Sequence, residues 1–165
     1  MSCENCGKRI RARREAYHYT GCGLPNVTLL NVEVHRCATC GWHAVDIPRI
    51  LDLHALLARL LACKVPRLTP AEARFLRKYL GLSGRDFAAK MGVKPETVSR
   101  WESGAQAMGP AAERLLRLMA LAYAPIDKYP VDIATALQLD KVARGKAASA
   151  RLSVRPGKDG WKEAA

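Results

Sequence analysis

The sequence predicts an α+β chain in which a small β-containing N-terminal unit precedes an all-α module of four to five helices. Two observations carry this. Two Cys-x-x-Cys-Gly turns, Cys3–Gly7 and Cys37–Gly41, bracket a strand-like stretch. Farther on, residues 69–124 contain helical segments whose caps and stops agree with their hydrophobic periodicity.

Composition narrows the class. The 165 residues suffice for one ordinary domain or two small ones. Hydrophobic residues make up 49 %, but only two are Phe, so the core must be mainly aliphatic. With 27 Lys and Arg against 15 Asp and Glu, the net charge is +12, which favours a polyanionic partner: nucleic acid, an anionic membrane surface or an acidic protein. No apolar run approaches the roughly 20 residues of a membrane span, and MSCENCGKRI lacks a signal-peptide core. A cytoplasmic chain without a membrane partner is expected, and in a reducing compartment six cysteines suggest metal before disulfides.

The first unit is placed at residues 1–47. The two-residue spacing lets both thiolates of each pair reach one tetrahedral ion, and the following Gly lets the turn close with N–H groups toward sulfur. Cys3, Cys6, Cys37 and Cys40 are therefore the expected ligands of one structural Zn2+ in a zinc-ribbon-like domain. Two disulfides are the alternative. Ala16–Thr20 and Val27–His35 are strand-like, with Gly21, Gly23 and Pro25-Asn26 turning between them. So small a unit has little core, and metal binding would supply folding energy. Cys22 and Cys63 read as small buried hydrophobes, with a ligand or thiol-sensor role for Cys22 as the alternative. Among the four histidines, His35 is the best substitute ligand.

Residues 48–68 form a connecting helix and linker. Ile50, Leu53, Leu57, Leu60 and Leu61 repeat at helical spacing, Asp46 is a candidate cap, and Lys64-Val-Pro-Arg breaks the helix. Residues 69–124 follow. Thr69-Pro70-Ala71-Glu72 is a capping box with Pro at the first helical position, and Gly81 ends that helix. Ser83 caps the next helix, which stops at Gly92, and Pro95 opens a third that stops at Gly104. Gly109-Pro110 starts a fourth, on which Leu115, Leu118, Met119 and Ala122 share an apolar face. In the last stretch, 125–165, Ile133–Val142 reads as a short fifth helix, and the basic tail from Gly145 is expected to be disordered.

The helix, Gly92 turn and following polar helix form a helix-turn-helix pattern, whose second helix presents its N-terminal side chains to major-groove base edges. Spacing turns Pro95, Glu96, Thr97 and Arg100 outward and Val98 and Trp101 inward. Arg100 can donate a bidentate pair to guanine, and Thr97 can meet a thymine methyl or a phosphate. Lys94 and Ser83 sit at helix starts that attract phosphate, and Arg85 and Ser99 complete the candidate DNA-facing set. The bland alternative is a helical bundle with a charged outer face.

GLSGRDFAAKMGVKPETVSRWESG resembles the Cro/cI-type (XRE) repressor helix-turn-helix, ending in S-R-x-E-x-G. CxxC, YTGCGLPNV and CxxCG resemble the YgiT-type zinc finger. In that order, over roughly residues 1–124, they resemble the MqsA family of antitoxins and related regulators. The resemblance implies a zinc domain able to bind a cognate ribonuclease toxin. It also implies a homodimer that represses its own operon at a palindromic operator in double-stranded DNA. It places the metal ligands on Cys3, Cys6, Cys37 and Cys40 and base reading on Arg100. Glu96 stands where the family has Asn and Gly84 where it often has Gln, so a different operator is expected. A stand-alone regulator without a toxin and a non-DNA-binding zinc-ribbon adaptor are the alternatives. No arrangement of residues suggests an enzyme: paired carboxylates, a Ser-His-Asp order and a phosphate loop are not evident, and four cysteines leave a tetrahedral ion no open position.

Overall fold

A computed structural model describes residues 1–123 and 147–164. It separates into two units. One comprises Met1–Thr20, Asn26–Leu53 and the chain from Arg151 onward; the other comprises Gly21–Pro25 and the described residues from His54 to Ala150. The architecture is α+β: a sheet beside a cysteine cluster in the first unit, and helices in the second.

The sheet is built around β2 (Val27–Arg36), which pairs antiparallel with β1 (Arg11–His18) along one edge. Its other edge is shared. Glu33–Arg36 pair antiparallel with β3 (His43–Asp46), whereas Val27–Leu29 pair in parallel with β4 (Leu152–Gly157). Asn31, at φ 57°, lies between these two pairings. Asn tolerates the left-handed region better than most side chains. The kink shifts the alternation by one, so that Val27 and Leu29 before it and Val32 and Val34 after it are all at most 2 % exposed. β5 (Gly160–Glu163) closes an antiparallel hairpin on β4.

This hairpin corrects the expectation of a disordered tail. Leu152, Val154 and Trp161 are buried, and Trp161 Nε1 donates to the Pro48 carbonyl at 2.8 Å. The first unit thus extends beyond residues 1–47 and takes in the end of the chain, with the helical unit inserted between its parts. The expected fifth helix at Ile133–Val142 lies outside the described residues. β1 also begins earlier than expected, because its Arg-rich half is an edge strand whose charges obscure a strand pattern.

The connecting helix α1 (Ile50–Cys63) runs from the first unit into the second, with Leu53, Leu57, Ala58, Leu61 and Ala62 fully buried. Asp46 does not cap it. That residue ends β3 opposite Glu33, and the helix opens at Arg49, whose carbonyl accepts from the Asp52 and Leu53 N–H groups.

The second unit continues with α2 (Pro70–Tyr79), α3 (Gly84–Met91), α4 (Pro95–Ser103) and α5 (Pro110–Tyr123). The Thr69/Glu72 capping box is present in both directions. Gly92 and Gly104 take left-handed C-cap conformations at φ 64° and 81°, where a Cβ would be strained.

The inner face of α5 differs from the apolar face visible in the sequence. Leu115 and Leu118 are 43 % and 45 % exposed, while Leu116, Ala120 and Leu121 pack inward with Glu113 and Arg117. Arg117 is fully buried because it finishes another helix. Its Nη1 donates to the carbonyls of Ala62 and Lys64 at 3.1 and 2.6 Å, and its Nη2 to Pro66 O and Glu113 Oε1 at 2.8 and 2.7 Å. α1 has no basic residue in its last turn, so α5 supplies the donor that its orphan carbonyls need. Glu113 in turn accepts from Arg67 Nε and the Leu68 N–H, and Lys64 Nζ reaches Glu72 Oε2 at 2.6 Å. Through these bonds the linker Lys64–Leu68 is fastened to α2 and α5 within the helical unit.

Candidate metal centre and nucleic-acid interface

The two cysteine turns have the same construction. Cys3 N–H donates to Lys8 O and Cys37 N–H to Trp42 O, while Gly7 and Gly41 N–H return to the carbonyls of Cys3 and Cys37. Both glycines have positive φ, 71° and 73°, as so tight a reversal requires. Backbone N–H groups then meet sulfur: Lys8 at Cys6, Trp42 at Cys40, and Cys40 and Thr39 at Cys37.

The turns bring four Sγ atoms within 4.8 Å of one another, with Cys3–Cys40 at 3.6 Å and Cys6–Cys37 at 3.5 Å. Four thiolates at the usual Zn–S bond length of 2.3 Å stand about 3.8 Å apart at the corners of a tetrahedron, so the cluster fits a tetrahedral metal ion. The thiols also compete for protons. Backbone hydrogen bonds lower Cys37 to about 6. Lys8 N–H likewise favours the Cys6 thiolate, but burial and the neighbouring sulfurs outweigh it and push Cys6 up to about 12. A divalent cation would remove that conflict by holding all four as thiolates. No other His, Cys, Asp or Glu cluster of metal-binding geometry occurs among the described residues. His35 is outside the cluster, 3.6 Å from Glu33. Cys22 and Cys63 are half-buried rather than buried, and burial pushes both thiols up.

In the helical unit, α3 and α4 are joined by the Gly92 turn. Val98 and Trp101 anchor α4 in the core at 2 % and 6 % exposure, which leaves Glu96, Ser99 and Arg100 exposed and Thr97 half-buried. Lys94 occupies the N-cap position without a side-chain cap bond. Among the described residues Arg85, Lys94, Glu96 and Arg100 have no ion-pair partner. Ser83 differs: its hydroxyl accepts from Asp86 N–H and donates to Asp86 Oδ2, so the cap occupies it and brings a carboxylate to the start of α3.

Glu102, one turn beyond Ser99, carries a function that sequence reasoning did not assign. Arg77 grips both of its carboxylate oxygens, Arg74 adds a third bond, and Arg77 Nη1 also holds Leu82 O. Burial alone would raise the Glu102 carboxyl, but these guanidinium bonds prevail and lower it. The clamp fixes α4 to α2, so that the exposed side chains of α4 project from a rigid base. The available signal was Arg74 and Arg77 three residues apart on α2, together with the acid of the S-R-x-E-x-G ending.

Helix, Gly turn and outward polar helix are thus in place, and residues 74–121 match the HTH_3 family model, described as Helix-turn-helix. Residues 74–121 are an XRE-type helix-turn-helix domain. This domain makes the chain a DNA-binding transcription regulator, with α4 in the position of the recognition helix. No curated protein and no solved structure matches the chain. Among the described residues, no helix is long and apolar enough to cross a membrane.

Proposed function

We propose that the protein is a zinc-stabilised, homodimeric transcriptional repressor that reads a palindromic operator through α4 and acts as the antitoxin of a toxin–antitoxin pair. The observation that carries the reading is the XRE-type domain, whose α4 is clamped through Glu102 and presents Arg100 and Lys94, which have no ion-pair partner among the described residues. Arg100 reads a guanine bidentately and Thr97 adds a contact to a base methyl or phosphate. Lys94, Ser99 and Arg85 meet backbone phosphate, and Ser83 contributes through the N–H groups of the helix start it caps. Glu96 accepts from a cytosine or stays apart from the phosphates. Zn2+ suits four thiolates and needs no open coordination position, in keeping with a structural ion and no catalysis.

The outward Leu115 and Leu118 on α5 support a dimer, since exposed apolar side chains on one helix face favour self-association. The antitoxin role rests on the order of the two motifs, and the sheet unit would hold the toxin. One observation favours a second reading, a regulator without a toxin. The end of the chain completes the sheet unit, which departs from a zinc finger followed simply by a helix-turn-helix.

Selection of duplexes from a random pool tests the operator claim: a palindromic consensus supports a homodimeric reader, and an unenriched pool refutes it. Purification from native cells tests the other: a small ribonuclease retained at equal stoichiometry supports the antitoxin, and its absence supports the stand-alone regulator.

A further inference from the structure

A cleft of roughly 330 Å³ in the sheet unit lies beside the second cysteine turn, with Arg11, Arg13, Glu15, Val34, Arg36 and Gly41 among its walls. Its charge follows from strand geometry. Alternation along β1 places Arg11, Arg13 and Glu15 on one face, and the register with β2 sets Arg36 opposite Arg11 and Val34 opposite Arg13. Two cations directly opposite one another are destabilising in a sheet. Glu15 relieves only one of them, because its Oε1 accepts from both Nε and Nη2 of Arg36. Arg11 and Arg13 have no acidic partner among the described residues.

We propose that this cleft is a phosphate-binding site, through which the sheet unit grips nucleic-acid backbone without reading its sequence. Guanidinium forks suit phosphate oxygens, which they bind bidentately. Alternate strand residues stand about 6.7 Å apart, a separation comparable to that of successive phosphates along a strand, so Arg11 and Arg13 can each take one. Lys8 and Arg9 stand just ahead of them in sequence, whereas alternation turns Arg14 to the opposite face of β1. An edge strand needs charge merely to prevent pairing with another chain, but that purpose does not require a concave arrangement. A second competing account is that Arg11 and Arg13 balance the thiolates, since Cys37 lines the same cleft. The inference is independent of base reading by α4.

The test uses the zinc-loaded full chain, Arg11→Ala/Arg13→Ala, and a charge-matched control, Arg14→Ala/Arg155→Ala, outside the cleft. Binding to a labelled random-sequence duplex is followed by anisotropy across a salt titration, with zinc content and thermal unfolding measured on the same samples. The cleft variant is expected to lower the slope of log K against log salt by about 1.8, two phosphates at about 0.9 each. It should keep its zinc and its preference for operator over random DNA. An unchanged slope, an equal fall in the control, or zinc loss without a change of slope overturns the proposal. Displacement of an acidic polypeptide or of inorganic phosphate alone, with no change toward duplex DNA, also overturns it and assigns the cleft to another anion. Arg100→Ala, run in parallel, reports on α4 separately: lost operator preference with an unchanged contribution from Arg11 and Arg13 keeps the two claims distinct.

Discussion

Replacing Trp161 with Ala removes the largest side chain of the C-terminal hairpin from the sheet unit. The indole is 3 % exposed, and its Nε1 donates to Pro48 O at 2.8 Å. Truncating a buried Trp costs about 3–5 kcal/mol, and the lost hydrogen bond about 1 kcal/mol more. Most small domains are stable by only about 5–15 kcal/mol, so the sheet unit should lose a large part of its margin. Two units need not unfold together, so a single melting curve is the wrong readout. Urea unfolding should instead be followed by release of the bound metal to a chromophoric chelator, with operator binding measured in parallel. Trp161→Ala should shift metal release to markedly lower urea and leave the preference for operator over random duplex intact. Trp161→Phe should recover much of the loss by refilling the volume. A loss below about 0.5 kcal/mol, the usual range for surface substitutions, would refute the placement of the hairpin in the sheet and return these residues to a solvated tail.

Other outcomes follow from the same structure. Glu102→Gln should cost about 1.5–3 kcal/mol through its charged hydrogen bonds and flatten acid unfolding of the helical unit. The Glu102 carboxyl is lowered on folding, so its stabilisation is present above the unfolded carboxylate value of about 4.3 and is lost as pH falls through its lower folded value. Arg117→Met removes one of the three donors to Glu113 and the guanidinium bonds to the carbonyls of Leu61, Ala62, Lys64 and Pro66, and should cost about 3–5 kcal/mol by chemical denaturation. Cys40→Ser, or treatment with a strong chelator, should abolish stoichiometric zinc and the strand signal in circular dichroism, while the preference for operator over random duplex persists and only the phosphate contribution of Arg11 and Arg13 is lost. Loss of that preference would show that the helical unit depends on the metal.

Much of this was legible because local chemistry decided it. Thr69, Glu72, Ser83, Gly92 and Gly104 set helix ends through hydrogen bonds within a few residues, and Gly7 and Gly41 set the cysteine turns in the same way. The hairpin was hidden because β4 pairs with Val27–Leu29, which lie far away in sequence, and Leu152-Ser-Val-Arg offers only two alternating apolar positions. The inner face of α5 was hidden for another reason. Arg117 is drawn inside by the carbonyls at the end of α1, which no periodicity of α5 reveals, and Leu115 and Leu118 are left outside. Arg100 could be placed outward by counting from Val98 and Trp101. The clamp on Glu102 required the packing of α4 on α2.

The most direct test of the central claim is a salt-titrated comparison of Arg100→Ala with the wild-type chain on selected operator and random duplex. The account predicts that Arg100→Ala loses about 1–3 kcal/mol on the operator, a roughly 5- to 150-fold fall in affinity. Binding to random DNA should change far less, which narrows the ratio between the two. Equal weakening on both duplexes would make Arg100 a phosphate contact, and no change on either would contradict base reading by α4.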